Sequence, residues 1–289
     1  MATGKNIRTY FEGSWHDADV PIMRAADHGA WLGSSVFDGA RFFEGVAPDL
    51  RAHCNRVNAS ATAMMITPTV AVEHMIEIIR EGLKFYNSST AVYIRPMYWA
   101  LDGGELAVIP KVGSTGFAIC LEEIPMADLD KTSTLTTTKF RRPVLQDNVV
   151  NAKAGCLYPN NARMLAEAHS KGFGNALVLD AVGNVAETAT ANIFMAMDNE
   201  VFTPVPNGTF LVGITRQRHI KHFVDNGLKV HETVLTYDHF HRADEVFMSG
   251  NMMKITPITA FENTSYQTGP ITKMAKDMYW DWALSDEPD

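Results

Sequence analysis

The chain has 289 residues, 46% hydrophobic and 20% charged, with a formal net charge of −8, a size and balance that fit one large domain or two modest ones around a sizeable core. The acidic balance and the lack of a Lys/Arg run argue against nucleic acid as the main partner. With no apolar leader in "MATGKNIRTYFEGSW" and no apolar run near the ~18 residues of a membrane span, the sequence reads as soluble and cytoplasmic.

In chain order, "IRTYFEG" and "SVFDGARFFEG" cluster aromatic and β-branched residues around glycine, as hairpins do. "LRAHCNRVNASATAMMI" repeats apolar and small residues at helical spacing. "VAVEHMIEIIREGLKFYN" predicts an amphipathic helix with Val72, Met75, Ile76, Ile79 and Leu83 on one face. "TAVYIRPMYWAL" and "TGFAICLEEIP" read as buried strands. The polar, Thr-rich, Pro-bounded "EEIPMADLDKTSTLTTTKFRRP" is the best linker candidate. It divides the chain into a small α/β domain over 1–124, an interdomain linker over 125–137 and a large domain over 138–289.

Beyond the linker, "NARMLAEAHSKGFG" predicts a helix closed by glycine. "NALVLDAVGNVAET" predicts a strand pair around a Gly-Asn turn, and "NIFMAMDNEVFTPV" a second hairpin. "TRQRHIKHFVDNG" follows as a helix capped by Gly227. "KVHETVL" and "DEVFMSGNMMKITPI" read as strands, and "GPITKMAKDMYWDWAL" as a terminal helix. Without strict βαβ alternation, the expected class is α+β.

Several residues are candidates for chemistry. Lys153 stands alone among small and apolar neighbours in "NVVNAKAGCLYPN". It reads either as a snorkelling surface lysine or as a desolvated amine able to form a Schiff base. Glu187 in "GNVAETATANIF" is either an exposed turn carboxylate or an acid facing a pyridinium nitrogen. The helix opening in "LVGITRQRH" offers amides and Thr215 to an anion, or is ordinarily capped. The Ser-Gly turn of "SGNMMKITPI" carries the same ambiguity. Arg56 is a surface arginine or a phosphate ligand. Arg95, among the strand-like aromatics of "YIRPMYW", needs a partner if buried and with Tyr93 would grip a carboxylate. The ten histidines show no metal spacing, no nucleophile elbow is present, and Cys54, Cys120 and Cys156 read as reduced thiols.

Together these residues resemble the class IV, pyridoxal-phosphate-dependent aminotransferases, most closely the branched-chain amino acid aminotransferases. The most specific stretch is "ETATANIFMAMDNEVFTPVPNGTFLVGITR", where Glu187, Asn192, Thr203, Gly213 and Arg216 fall at the family's spacings. "AKAG" with Tyr158, "SSVFDGARFF", "YIRP" and "DEVFMSG…ITPI" resemble further family segments in the same order. The resemblance implies the D-amino acid aminotransferase-like fold, a small α/β lobe plus a larger pseudo-barrel lobe, and usually a homodimer.

It also implies roles. Lys153 would form the Schiff base with pyridoxal 5'-phosphate and move the proton. Glu187 would keep the pyridine nitrogen protonated, and Tyr158 would hydrogen-bond the ring's phenolic oxygen. Arg56, the amides of Ile214 and Thr215, and the turn Ser249-Gly250-Asn251 would bind the phosphate. Phe37, Gly39, Tyr93, Arg95, Met252 and Met253 would surround the substrate. The implied reaction passes an amino group between a branched-chain L-amino acid and 2-oxoglutarate. Leu32 in place of a tyrosine, Asn251 in place of a threonine, and Met252-Met253 in place of small residues depart from the family pattern. Lys254 adds a charge the turn does not require. The departures at Leu32 and Asn251-Met252-Met253 motivate an (R)-amine:pyruvate or D-amino acid transaminase as the alternative; an aminodeoxychorismate lyase and a non-catalytic binding relative are further rivals, the last disfavoured by the presence of Lys153, Glu187 and Tyr158.

Overall fold

The structure is a computed structural model that describes residues 4–128 and 130–285. Leu129, inside the predicted linker, residues 1–3 of the predicted small domain and residues 286–289 of the predicted large domain lie outside the described residues. The described residues divide into two compact units, one within Met1–Met126, Asn151–Leu157 and Ala283–Asp289, the other within Ala127–Val150 and Tyr158–Trp282.

The first unit begins with β1 (Lys5–Phe11) and β2 (Ser14–His16), joined through Glu12 and Gly13, both at positive φ. A short helix α1 (His28–Trp31), strands β3 (Ser35–Phe37) and β4 (Ala40–Phe42), and helices α2 (Leu50–Ala63) and α3 (Val72–Leu83) follow. Strands β5 (Val92–Ala100) and β6 (Thr115–Glu123) form the centre of an antiparallel sheet ordered β2-β1-β6-β5-β3, with β4 also on β5. The predicted face of α3 is largely the buried one: Met75, Ile76, Ile79 and Leu83 are enclosed, joined by Ile78. Each such side chain removed from water contributes about 1.5–3 kcal/mol.

One sequence expectation is corrected. "SVFDGARFF" is not a hairpin, because β3 and β4 pair with β5 rather than with each other. Phe37 opposes Met97 and Ala40 opposes Ile94, so the register carries straight through. Pairing lapses only at Asp38-Gly39. There Asp38 N donates to the carbonyl of Pro96, which has no N–H to return.

The second unit holds β7 (Ser133–Arg141), α4 (Tyr158–Ser170), β8 (Asn175–Leu179), β9 (Val185–Thr188), β10 (Asn192–Met197) and β11 (Glu200–Pro204). It continues with α5 (Ile214–Asp225), β12 (Val230–Thr233), α6 (Tyr237–His241), β13 (Glu245–Gly250), β14 (Lys254–Phe261), β15 (Thr264–Ser265) and α7 (Pro270–Ala283). Because β7 starts at Ser133, the last part of the proposed 125–137 linker is strand. Its threonines, polar in composition, suit a half-buried pleat.

The sheet order is β12-β11-β10-β13-β14-β7-β8-β9, mixed parallel and antiparallel, with β15 on β14. Thr188 ends β9 and Asn192 starts β10, yet these strands stand five positions apart in the order. Four residues reach only about 14 Å, whereas five strand spacings measure about 24 Å. The sheet must therefore curl, which makes a half-barrel. Both of its faces are covered. Ile193 and Met195 of "NIFMAM" pack with Leu135, Leu177 and Phe240, while the alternate Phe194 stacks on Phe247 near Phe223 of α5 and Ile271 of α7. That double burial explains the continuous apolar run.

Candidate active site

In the first unit, Lys153 is held by its backbone from two sides. Its N–H donates to Ser60 Oγ at 3.0 Å, its carbonyl accepts from Phe37 N at 3.1 Å, and Ala154 bridges to Val36. The small neighbours are packing requirements. Ala152 and Ala154 are buried, and a Cβ on Gly155 would stand 2.9 Å from Ser35 Oγ. The Lys153 side chain is half-buried, with Nζ 5.0 Å from the centroid of the Phe37 ring, a cation–π contact.

Phe37 faces Met97 across the sheet, and opposed antiparallel residues share a face. Arg95 and Tyr93 continue that face at period two. Gly39 is obligatory here, since a Cβ would overlap the Tyr93 hydroxyl at 2.1 Å. Phe37, Gly39, Tyr93 and Arg95 thus lie together, as predicted from sequence. The sequence reading missed the partner of Arg95. Its guanidinium donates to Glu122 Oε1 and, at 3.4 Å, to Cys120 Sγ. Buried Glu122 accepts from Gly4 N on its other oxygen at 2.8 Å. Burial opposes the charge of Arg95, but Cys120, Glu122 and Tyr93 outweigh it and raise its pKa.

Arg56 also has an acidic partner. It grips Asp38 with both Nε and Nη2, at 2.6 and 2.9 Å. His53 Nδ1 lies 2.6 Å from Asp38 Oδ1, which also accepts from Gly39 N at 2.7 Å. Burial alone would push the Asp38 carboxyl up, yet Arg56 and His53 together hold it well below the usual range.

In the second unit, Asn192 connects the other predicted residues. Its Nδ2 donates to Glu187 Oε2 at 3.2 Å and to the Leu211 carbonyl at 3.1 Å. Its Oδ1 accepts from Gly213 N at 3.1 Å, immediately before Ile214 and Thr215 open α5. A Cβ on Gly213 would meet that oxygen at 2.2 Å, so only glycine permits the contact. Ser249 is the β-partner of Asn192, which puts the Ser249-Gly250-Asn251 turn and the start of α5 on either side of one asparagine. Met252 and Met253 complete the turn, and Tyr158 begins α4 with 38% of its surface exposed.

Sequence reasoning also missed Arg142. Its Nε lies 3.2 Å from Glu187 Oε1, and Nη1 and Nη2 donate to Asn161 Oδ1 and the Thr188 and Ala189 carbonyls. Arg142 and Asn192 together complement an anionic Glu187. The signature residues Thr203 and Arg216 are structural: Thr203 Oγ1 donates to Ile193 O, and Arg216 donates to Pro204 O and Glu232.

The family of class IV aminotransferases matches residues 35–261. The branched-chain-amino-acid aminotransferase of Salmonella typhimurium is 30% identical over 296 residues, covering 97% of this chain and 94% of that protein. A solved aminotransferase from Brucella abortus bound to the cofactor pyridoxal phosphate is 55% identical, covers 96% of this chain and 99% of that one, and superposes with a TM-score of 0.95. The Escherichia coli branched-chain amino acid aminotransferase structure gives a TM-score of 0.87 at 26% identity, covering 96% and 94%. The chain belongs to the class IV aminotransferases, a pyridoxal-phosphate-dependent family. Its residues fit that cofactor. Glu187 is a braced carboxylate suited to a ring nitrogen. Ser249 Oγ and Asn251 Nδ2 are buried polar atoms with no partner among the described residues, which suits a turn that receives an anionic group.

Proposed function

We propose that the protein passes an amino group from a branched-chain L-amino acid to 2-oxoglutarate through pyridoxal 5'-phosphate. The observation that carries this reading is the chain Glu187–Asn192–Gly213, which sets a carboxylate and a helix N-terminus at a fixed separation. Those are the two contacts that a ring nitrogen and a phosphate on one cofactor need.

When bound, the cofactor supplies an aldehyde that accepts the amino group and a ring that stores the electron pair of the broken Cα–H bond. Lys153 would provide the amine that holds the cofactor's aldehyde and, when free, would serve as the base that moves the substrate's proton. Its pinned backbone fixes the base of the side chain, whose Nζ stands 5.0 Å from the centroid of the Phe37 ring. Glu187, fixed by Asn192 and Arg142, holds the proton on the ring nitrogen. Tyr158 donates to the ring's phenolic oxygen. Arg56, the amides of Ile214 and Thr215, and Ser249, Gly250 and Asn251 take the phosphate. In this reading Phe37, Gly39, Met252 and Met253 would contact the substrate side chain, and Tyr93 and Arg95 a substrate carboxylate. The working assembly is a homodimer.

The Arg95–Glu122 pair supports a second reading, in which pyruvate is the acceptor and an (R)-amine or D-amino acid the donor. A distal carboxylate must compete with Glu122 for Arg95, and a monocarboxylate need not. A donor panel of L-leucine, D-alanine and (R)-1-phenylethylamine, each with 2-oxoglutarate and pyruvate, separates the two. Turnover of L-leucine with 2-oxoglutarate supports the first reading. Turnover confined to the D or R donors overturns it, and an active Lys153→Ala variant overturns both.

A further inference from the structure

Lys254 is 1% exposed, although lysine is among the residues least often buried. It also adopts φ of +61°, closing the three-residue turn that joins β13 to β14. Glycine is the easiest residue at such a left-handed position, and any residue with a Cβ is disfavoured there. Two unfavourable terms at one residue indicate that the ammonium is used.

Its Nζ lies 2.6 Å from Asn251 Oδ1 and 5.3 Å from the centroid of the Tyr279 ring. An ammonium has only donors, so it fixes the amide with oxygen toward Lys254 and Nδ2 turned away. Asn251 Nδ2 and Ser249 Oγ, one residue from Gly250 on either side, are buried and have no partner among the described residues. Left so, each would carry an uncompensated desolvation cost. Ser249 is beside Asn192, which holds Gly213 at the start of α5.

We propose that Lys254 is a positioning residue for the phosphate site: it locks Asn251 as a donor, so that Nδ2 and Ser249 Oγ present two hydrogen bonds to a phosphate monoester. Asn251 thereby replaces the threonine hydroxyl of related turns, and Lys254 removes the amide's choice of orientation. This rests on the phosphate-binding role given to the turn above.

The test compares pyridoxal phosphate with pyridoxal, which lacks the phosphate, by titrating cofactor-depleted protein and following absorbance and tryptophan fluorescence. Lys254→Met keeps the volume and removes the charge. Asn251→Asp lets Lys254 gain a counterion but turns the donor into an acceptor. Both variants are expected to weaken pyridoxal phosphate at least tenfold while moving pyridoxal less than about threefold, and to blunt competition by inorganic phosphate. Equal weakening of both ligands by Lys254→Met, or no change in either, overturns the positioning role. If Lys254→Met fails to fold, Asn251→Asp decides by the same two criteria. Failure of the wild-type protein to prefer pyridoxal phosphate over pyridoxal would instead overturn the phosphate site itself, and the inference with it.

Discussion

Replacing Asp38 with asparagine removes a negative charge that Arg56 and His53 share. Asp38 is fully buried, His53 nearly so, and the Arg56 side chain is 16% exposed. Taking one partner from a buried ion pair costs about 3–5 kcal/mol, because the remaining charge stays desolvated. At roughly 1–3 kcal/mol per molar urea, the unfolding midpoint should fall by about 1 M or more. The pH dependence is the sharper test. The folded carboxyl is depressed, so its contribution is complete above the unfolded value of about 3.9 and is lost as pH falls below it. Urea unfolding followed by tryptophan fluorescence should therefore show a gap between wild type and Asp38→Asn that is constant from pH 7 to 5. The gap should shrink below about pH 4. A loss under about 1 kcal/mol at pH 7, or a gap that persists unchanged into acid, would refute the assignment of Asp38 as the buried counterion.

On the proposed competition between Glu122 and a distal carboxylate for Arg95, Glu122→Gln should lower KM for 2-oxoglutarate several-fold and leave KM for pyruvate unchanged; parallel changes would contradict this. Gly213→Ala should keep the far-UV circular dichroism but weaken pyridoxal phosphate about ten- to a hundredfold, matching the ~1–3 kcal/mol of a disrupted buried polar contact; unchanged affinity would mean the Asn192 contact is dispensable. Burial lowers the His219 pKa to about 3, so its neutral form stabilises the fold fully above about pH 6.5 and progressively less as pH falls. The stability gap between wild type and His219→Gln should narrow through that interval by up to ~1.4 kcal/mol per pH unit, and a pH-independent gap would count against it.

Local signals made much of the fold legible. The helical period of α3 named its buried face, and the Gly183 and Asp198-Asn199 turns, all at positive φ, marked their hairpins. What failed was non-local. Whether β3 and β4 pair with each other depends on β5, and on a proline at position 96 that interrupts the ladder. The threonines of β7 looked like linker because composition cannot tell a half-buried polar strand from a loop. The capping box of α6 uses Thr236 with His239 rather than Glu or Gln, so its start was not read. At the candidate site, Lys153 and Glu187 stood out through ordered motifs. Their supports did not: Arg142 is one of two adjacent arginines, and nothing in "KFRRP" says which guanidinium turns inward.

The arginine–carboxylate pairs that sequence reasoning did not foresee share a physical theme. Arg56, Arg95 and Arg142 each have a carboxylate partner, in Asp38, Glu122 and Glu187. Desolvated cations need such partners to be stable in a folded chain without substrate. An incoming anion therefore meets an ion pair whose charge is already partly balanced, and its gain is the difference between two arrangements, not the full attraction of a bare guanidinium. Asp38 is clamped by Arg56, His53 and the Gly39 amide together. Glu122, itself buried, is held by Arg95, by the Gly4 amide at 2.8 Å and by Cys120 Sγ at 3.7 Å. On the proposed roles an anion at either arginine would add to a balanced pair rather than meet a bare cation, and the Glu122→Gln comparison measures how far that balance matters at Arg95.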